Sequence, residues 1–160
     1  MTASAPTAGQ RAKAHFAAGF NCAESVFLAG AEALGKSEPG VIPAIATTFG
    51  GGMHLDGFCG ALTGALMAIG LAVGRQDAAD QAKKDMGTKL GMDFGARFKE
   101  ANGGKMLCSE FTLHHFTVAE EFARWRAGTG RQTICTPLVE NTADQVVAFL
   151  RDQGLLGREG

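Results

Sequence analysis

The sequence has no surplus of charge of either sign: 15 lysines and arginines stand against 16 aspartates and glutamates, a net of −1 at pH 7. A chain without a basic stripe has no electrostatic hold on nucleic acid or on an anionic membrane, and neither is expected as a partner. The first residues, MTASAPTAGQRAKAHF, lack an apolar stretch of the length that a secretory signal needs. Residues 1–8 therefore read as a disordered tip before a helix, with a cytoplasmic location expected. Long hydrophobic runs are also missing. The uncharged run from Phe58 to Gly74 is 17 residues, at the lower limit for crossing a bilayer, and its many Gly and Ala suit a buried helix better than a membrane span.

Several catalytic signatures are absent as well. There is no GxSxG, no HExxH and no P-loop, and Gly50-Gly51-Gly52 lacks the Lys-Ser/Thr that would make it a phosphate cradle. Hydrolase and nucleotide-binding readings lose their support. Cysteine is sparse, four in 160 residues, with neither a CxxC pair nor zinc-finger spacing.

What is present is helical periodicity. Strand-like alternation is scarce, which predicts an all-α chain: one domain over 1–160, a compact multi-helix bundle with Gly-rich loops. A first helix is expected over Thr7 to Ala18, and a second after Asn21, whose amide side chain and Glu24 three residues on form a capping-box pattern. Pro39 starts a short helix, and Phe49-Gly50-Gly51-Gly52-Met53 is a loop, since no regular element would choose three glycines. An apolar helix follows Cys59, with Gly60 and Gly64, then Gly70 and Gly74, as smooth strips for a close neighbour. From Gln76 to Ala101, Ala82, Met86, Leu90, Phe94 and Phe98 mark the apolar face of an amphipathic helix. Gly87, Gly91 and Gly95 on it suggest packing against the Gly-rich helix. Short helices are expected from Glu110 to Phe116 and from Thr117, again with a capping box, to Arg126. The last should run from Thr136-Pro137 to Gln153.

Cys22, Cys59, Cys108 and Cys135 each fall within a residue or two of a predicted helix start. Unpaired N–H groups and the positive end of the helix dipole stabilise a thiolate there, the form that ligates metals and attacks disulfides. Lasting disulfides are rare in a reducing compartment, so the four together point to metal or redox chemistry. Three readings stay open on the residues alone: an iron–sulfur cluster, metal-free thiol–disulfide exchange, and structural zinc. All four sulfurs are expected to converge. Whether the protein is an enzyme is left open.

The segment Cys59-Gly60-Ala61-Leu62-Thr63-Gly64, with Phe49–Met53 before it and Ala65–Leu71 after it, resembles the redox-active family defined by four cysteines and a CGAxxG motif. Asn21-Cys22-Ala23-Glu24-Ser25 resembles its first cysteine site, Cys108 its third and Cys135 its fourth, over roughly residues 10 to 150. The resemblance implies redox function, a redox protein as partner, and Cys22, Cys59, Cys108 and Cys135 as ligands. A related domain in split-Soret cytochromes is associated with an iron–sulfur centre, which implies a [2Fe–2S] cluster. His114-His115 and the Trp125 helix have no place in that pattern.

Among other candidates, His54 lies five positions before Cys59 and is weighed as a ligand or a supporting group. His15 reads as packing. His114 and His115 should face different ways and cannot share one metal. Met53, Met67, Met86, Met92 and Met106 read as core filling rather than a soft-metal site. The glycine-lined helices also allow a homodimer.

Overall fold

The computed structural model describes residues 4–156. It contains eight α-helices: α1 (Ala8–Ala18), α2 (Cys22–Ala33), α3 (Val41–Ala46), α4 (Gly60–Val73), α5 (Gln81–Ala101), α6 (Cys108–Thr112), α7 (Ala119–Ala127) and α8 (Thr136–Asp152). Among the described residues there is no strand, only an isolated antiparallel bridge between Phe58 and Leu107. Among the described residues no helix is long and apolar enough to cross a membrane.

The expected Asn21–Glu24 capping box forms, and α1 has one that the sequence reading did not name. Thr7 caps α1 with Gln10 returning the bond, and Gly19 ends that helix in the left-handed conformation. Asn21 caps α2: its Oδ1 accepts from Glu24 N at 2.9 Å while Asn21 N donates to the Glu24 carboxylate at 2.7 Å.

Helix α2 is central, packing on α1, α3, α4 and α8. The predicted glycine strip explains its approach to α4. A Cβ on Gly64 would stand 2.5 Å from Ala23 O, and one on Gly30 would stand 2.6 Å from the Ala68 methyl. Only small residues let these backbones come so close. The main core joins Phe16, Leu62, Phe94, Phe98, Val146 and Leu150, and a smaller cluster under α3 holds Phe27 and Ile42.

Several expectations need correction. The fifth helix begins at Gln81, not Gln76: Asp77 and Asp80 make side-chain bonds to the backbone N–H of Ala79 and Lys83, the first in a turn and the second as the helix cap. Its apolar face is buried only from Leu90 onward. Ala82 and Met86 are exposed, as is Met92, which therefore fills no core. Gly87 and Gly91 face Val73 and Leu66 of α4 at ordinary contact distance, while Gly70 has open space where its strip was expected to pack. The predicted Glu110–Phe116 helix is displaced to Cys108–Thr112. Thr117 does not cap α7, because its hydroxyl donates to Asp56 Oδ2 at 2.7 Å, and Val118 stands at the cap position instead. The chain reaches α8 through a π-helical turn, Arg131–Cys135. Thr136, expected as the cap of α8, donates its hydroxyl to Arg131 O within that turn. The reading of a disordered tip falls partly on residues 1–3, which lie outside the described residues, while Ala8 is already in α1.

Candidate functional site

Cys22, Cys59, Cys108 and Cys135 line one cavity of about 600 Å³. Four separate stretches bring them there. Cys22 is the first residue of α2, held by the Asn21–Glu24 box, and Glu24 is fixed further by the Thr47 hydroxyl at 2.6 Å. Cys59 immediately precedes α4, and Cys108 opens α6. Their two segments are tied directly: Cys59 N donates to Met106 O at 2.8 Å and Cys108 N to Gly57 O at 3.0 Å, on either side of the Phe58–Leu107 bridge. Glu110 fixes the same turn by accepting from Met106 N and Leu107 N at 2.7 and 2.8 Å. Cys135 stands one residue before α8, as expected, but it also ends the π turn that runs straight into that helix, so it does not sit at a free helix N-terminus.

The glycines set how closely these segments meet. A Cβ on Gly60 would collide with the Cys22 sulfur, and one on Gly52 would stand 2.8 Å from Cys108 Cβ. Gly51 and Gly52 have φ of 59° and 65°, a region that residues with side chains rarely adopt. Gly51 also donates its N–H to the Cys22 sulfur.

All four cysteines are free thiols. Cys59 and Cys108 are buried, while Cys22 and Cys135 are half-buried against the cavity. The helix ends were expected to favour thiolates, but burial wins. Burial raises Cys22 despite N–H donors from Gly51, Ala23 and its own backbone and the nearby Arg131 charge. It pushes Cys59 well up, with the charges of Cys22, Cys108 and Cys135 adding to the rise. Cys108 and Cys135 are each raised to about 12, by burial first and by Cys22 next. That mutual influence places the sulfurs within one another's field.

Arg131 closes the cavity beside Cys22 and Cys135. Its guanidinium lies 3.7 Å from the Phe16 ring centroid, and Nη2 donates to the carbonyls of Phe16 and Phe20 at 2.8 and 3.1 Å. The opposite wall is aromatic. His54, Phe116 and Phe122 form a cluster with ring centroids 5.0–5.6 Å apart, and Trp125 joins it 5.8 Å from Phe116. Sequence reading missed this wall. The signal that could have found it is the bunching of Phe116, just before α7, with Phe122 and Trp125 on α7, all between two cysteines and on a segment that buries no residue in the core.

His54 thus packs among rings facing the cavity. His15 bonds Glu32 at 2.8 Å. His114 Nδ1 meets Thr112 O at 2.7 Å and His115 Nδ1 meets Asp56 at 3.2 Å, so the adjacent pair does diverge.

The donor set fits a thiolate-bound metal group: four sulfurs, N–H donors to two of them, and the guanidinium groups of Arg126 and Arg131, with no carboxylate lining the cavity. Among the described residues, no three His, Cys, Asp or Glu are gathered as they would be around a single ion. No curated protein matches the chain, and no solved structure does. The family model described as "Putative redox-active protein (C_GCAxxG_C_C)" matches residues 20–149, a span that includes all four cysteines, and the chain belongs to that family.

Proposed function

We propose that the protein is an electron-transfer or redox-sensing protein in which Cys22, Cys59, Cys108 and Cys135 ligate an iron–sulfur cluster of the [2Fe–2S] type. The observation that carries this reading is the meeting of four cysteines, from four distant stretches of chain, on the wall of one cavity. Four thiols gathered at low dielectric ionise together only when a positive centre offsets their charge, which iron would do. When bound, the cluster supplies one-electron chemistry. The chain's own part is to hold the sulfurs, to donate N–H groups from Gly51, Ala23 and Ala61, and to keep bulk water away from Cys59 and Cys108.

The test is anaerobic purification and reconstitution, followed by iron and acid-labile sulfide analysis and visible absorption. Two irons per chain with a visible charge-transfer band are expected, and each single Cys→Ser variant should lose at least about half of the iron. Colourless, iron-free protein after reconstitution would sink the proposal. The second reading is thiol–disulfide exchange, favoured by four free thiols within one another's field. Thiol counts in graded redox buffers would then fall in steps of two with a defined potential.

A further inference from the structure

Much of the wall of the 600 Å³ cavity is formed by residues other than the four cysteines, and that part has a chemistry of its own. Pockets of a few hundred Å³ with aromatic sides and a few convergent polar groups are the usual form of a small-molecule site. Here Phe116, Phe122 and Trp125 present rings on one side. Arg126 and Arg131 bring two guanidinium groups, and no Asp or Glu lines the space. Arg126 lies 5.8 Å from the Phe122 ring centroid and has no carboxylate partner among the described residues. Arg131 commits Nη2 to two backbone carbonyls, which fixes its planar group on Phe16 at the cavity edge.

We propose that this wall is a binding site for a planar aromatic anion, its ring among Phe116, Phe122 and Trp125 and its negative group at Arg126 and Arg131. A wall of tilted rings offers faces and edges that suit a flat π-system better than a branched aliphatic chain. Guanidinium groups seated on aromatic faces are held in place to meet a carboxylate, sulfonate or phosphate with paired N–H donors. The aromatic wall is carried largely by α7, which buries no residue of its own, so its apolar face is spent on the cavity rather than on the core. The site deepens the redox reading by giving the four-cysteine wall a small-molecule partner, and it rests on that reading only for this meaning.

The experiment is calorimetric titration of the full chain, both reconstituted with iron and sulfide and iron-free, with 2-naphthoate and with neutral 2-naphthylmethanol. One-to-one binding is expected, with the anion about tenfold tighter than the alcohol, the size of one charge-assisted contact partly open to solvent. Arg126→Gln touches only the surface of Phe122 and should fold normally; with Arg131→Gln it should abolish the preference for the anion. Phe116→Leu should weaken both ligands. A second groove lies between α4 and α5, lined by Leu66, Ile69, Met92 and Met106. Equal affinities for the two ligands, no binding, or binding lost in Met92→Lys of that groove but kept in the arginine and Phe116 variants would overturn the proposal. Iron uptake without naphthoate binding would overturn this site alone. Naphthoate binding to a chain that never takes up iron would overturn the cluster alone.

Discussion

At Gly60 a single added carbon would meet the Cys22 sulfur and stand 3.1 Å from both Ala23 N and Gly50 Cα. Gly60→Ala should therefore destabilise the fold by about 1–3 kcal/mol and lower iron uptake, because the obstruction is backbone and a fixed thiol. Gly70→Ala, in the same helix but facing open space, should instead stabilise by up to about 1 kcal/mol, and urea unfolding of the two variants checks the contrast. Gly52→Ala combines a left-handed φ with a Cβ set against Cys108, whereas Gly35→Ala has a similar φ of 67° and nothing nearby. The strain alone costs about 1–2 kcal/mol, so any excess loss in Gly52→Ala over Gly35→Ala measures the crowding against Cys108 and the Gly57 backbone together. That three successive glycines break the regular helices here was legible from composition. That Gly52 in particular seats Cys108 was not, because a contact between such distant stretches leaves no local pattern.

At the scale of elements, what the sequence foretold best were the helix starts that depend on neighbours a few residues away. Asn21→Ala should cost about 1–2 kcal/mol, read from thermal or urea unfolding, since it removes the cap of α2 and the Asn21 bond to Thr47 O at 2.9 Å. The turn into α6 carries a pH dependence. The Met106 and Leu107 N–H groups hold the Glu110 carboxyl below its ordinary value of 4.5. A depressed folded value means that its stabilisation is complete above 4.5 and is lost as pH falls through the lower folded value. The protection of the Met106 and Leu107 amides against exchange, measured relative to their intrinsic rates at each pH, should fall across that acid range in the native protein, and Glu110→Ala should lack it already at neutral pH. Elements set by distant contacts were misplaced. Thr117 looks like a cap until Asp56, 61 residues away, takes its hydroxyl. The π turn before α8 has no signature in Arg131–Cys135, whose extra width is tied to Arg131 reaching α1.

Over the whole molecule, the helical class was readable because the hydrophobic period of α1, α4 and α8 matches the core that they build. The cavity was not, since its aromatic wall obeys no core periodicity. Trp125 is the only tryptophan and tyrosine is absent, so intrinsic fluorescence reports on that wall alone. Cluster loading should quench Trp125 emission, and oxidative loss of iron should restore it; emission indifferent to iron would place the metal elsewhere. The spread of the cysteines along the chain has a further consequence for covalent continuity. Any single cut of the backbone between residues 23 and 134 leaves at least one of the four sulfurs on each fragment. A metal centre there would act as a clasp across the nick: protein cleaved in the exposed helix α7 should stay one particle when loaded, and should release the α8 fragment at lower denaturant once the iron is chelated.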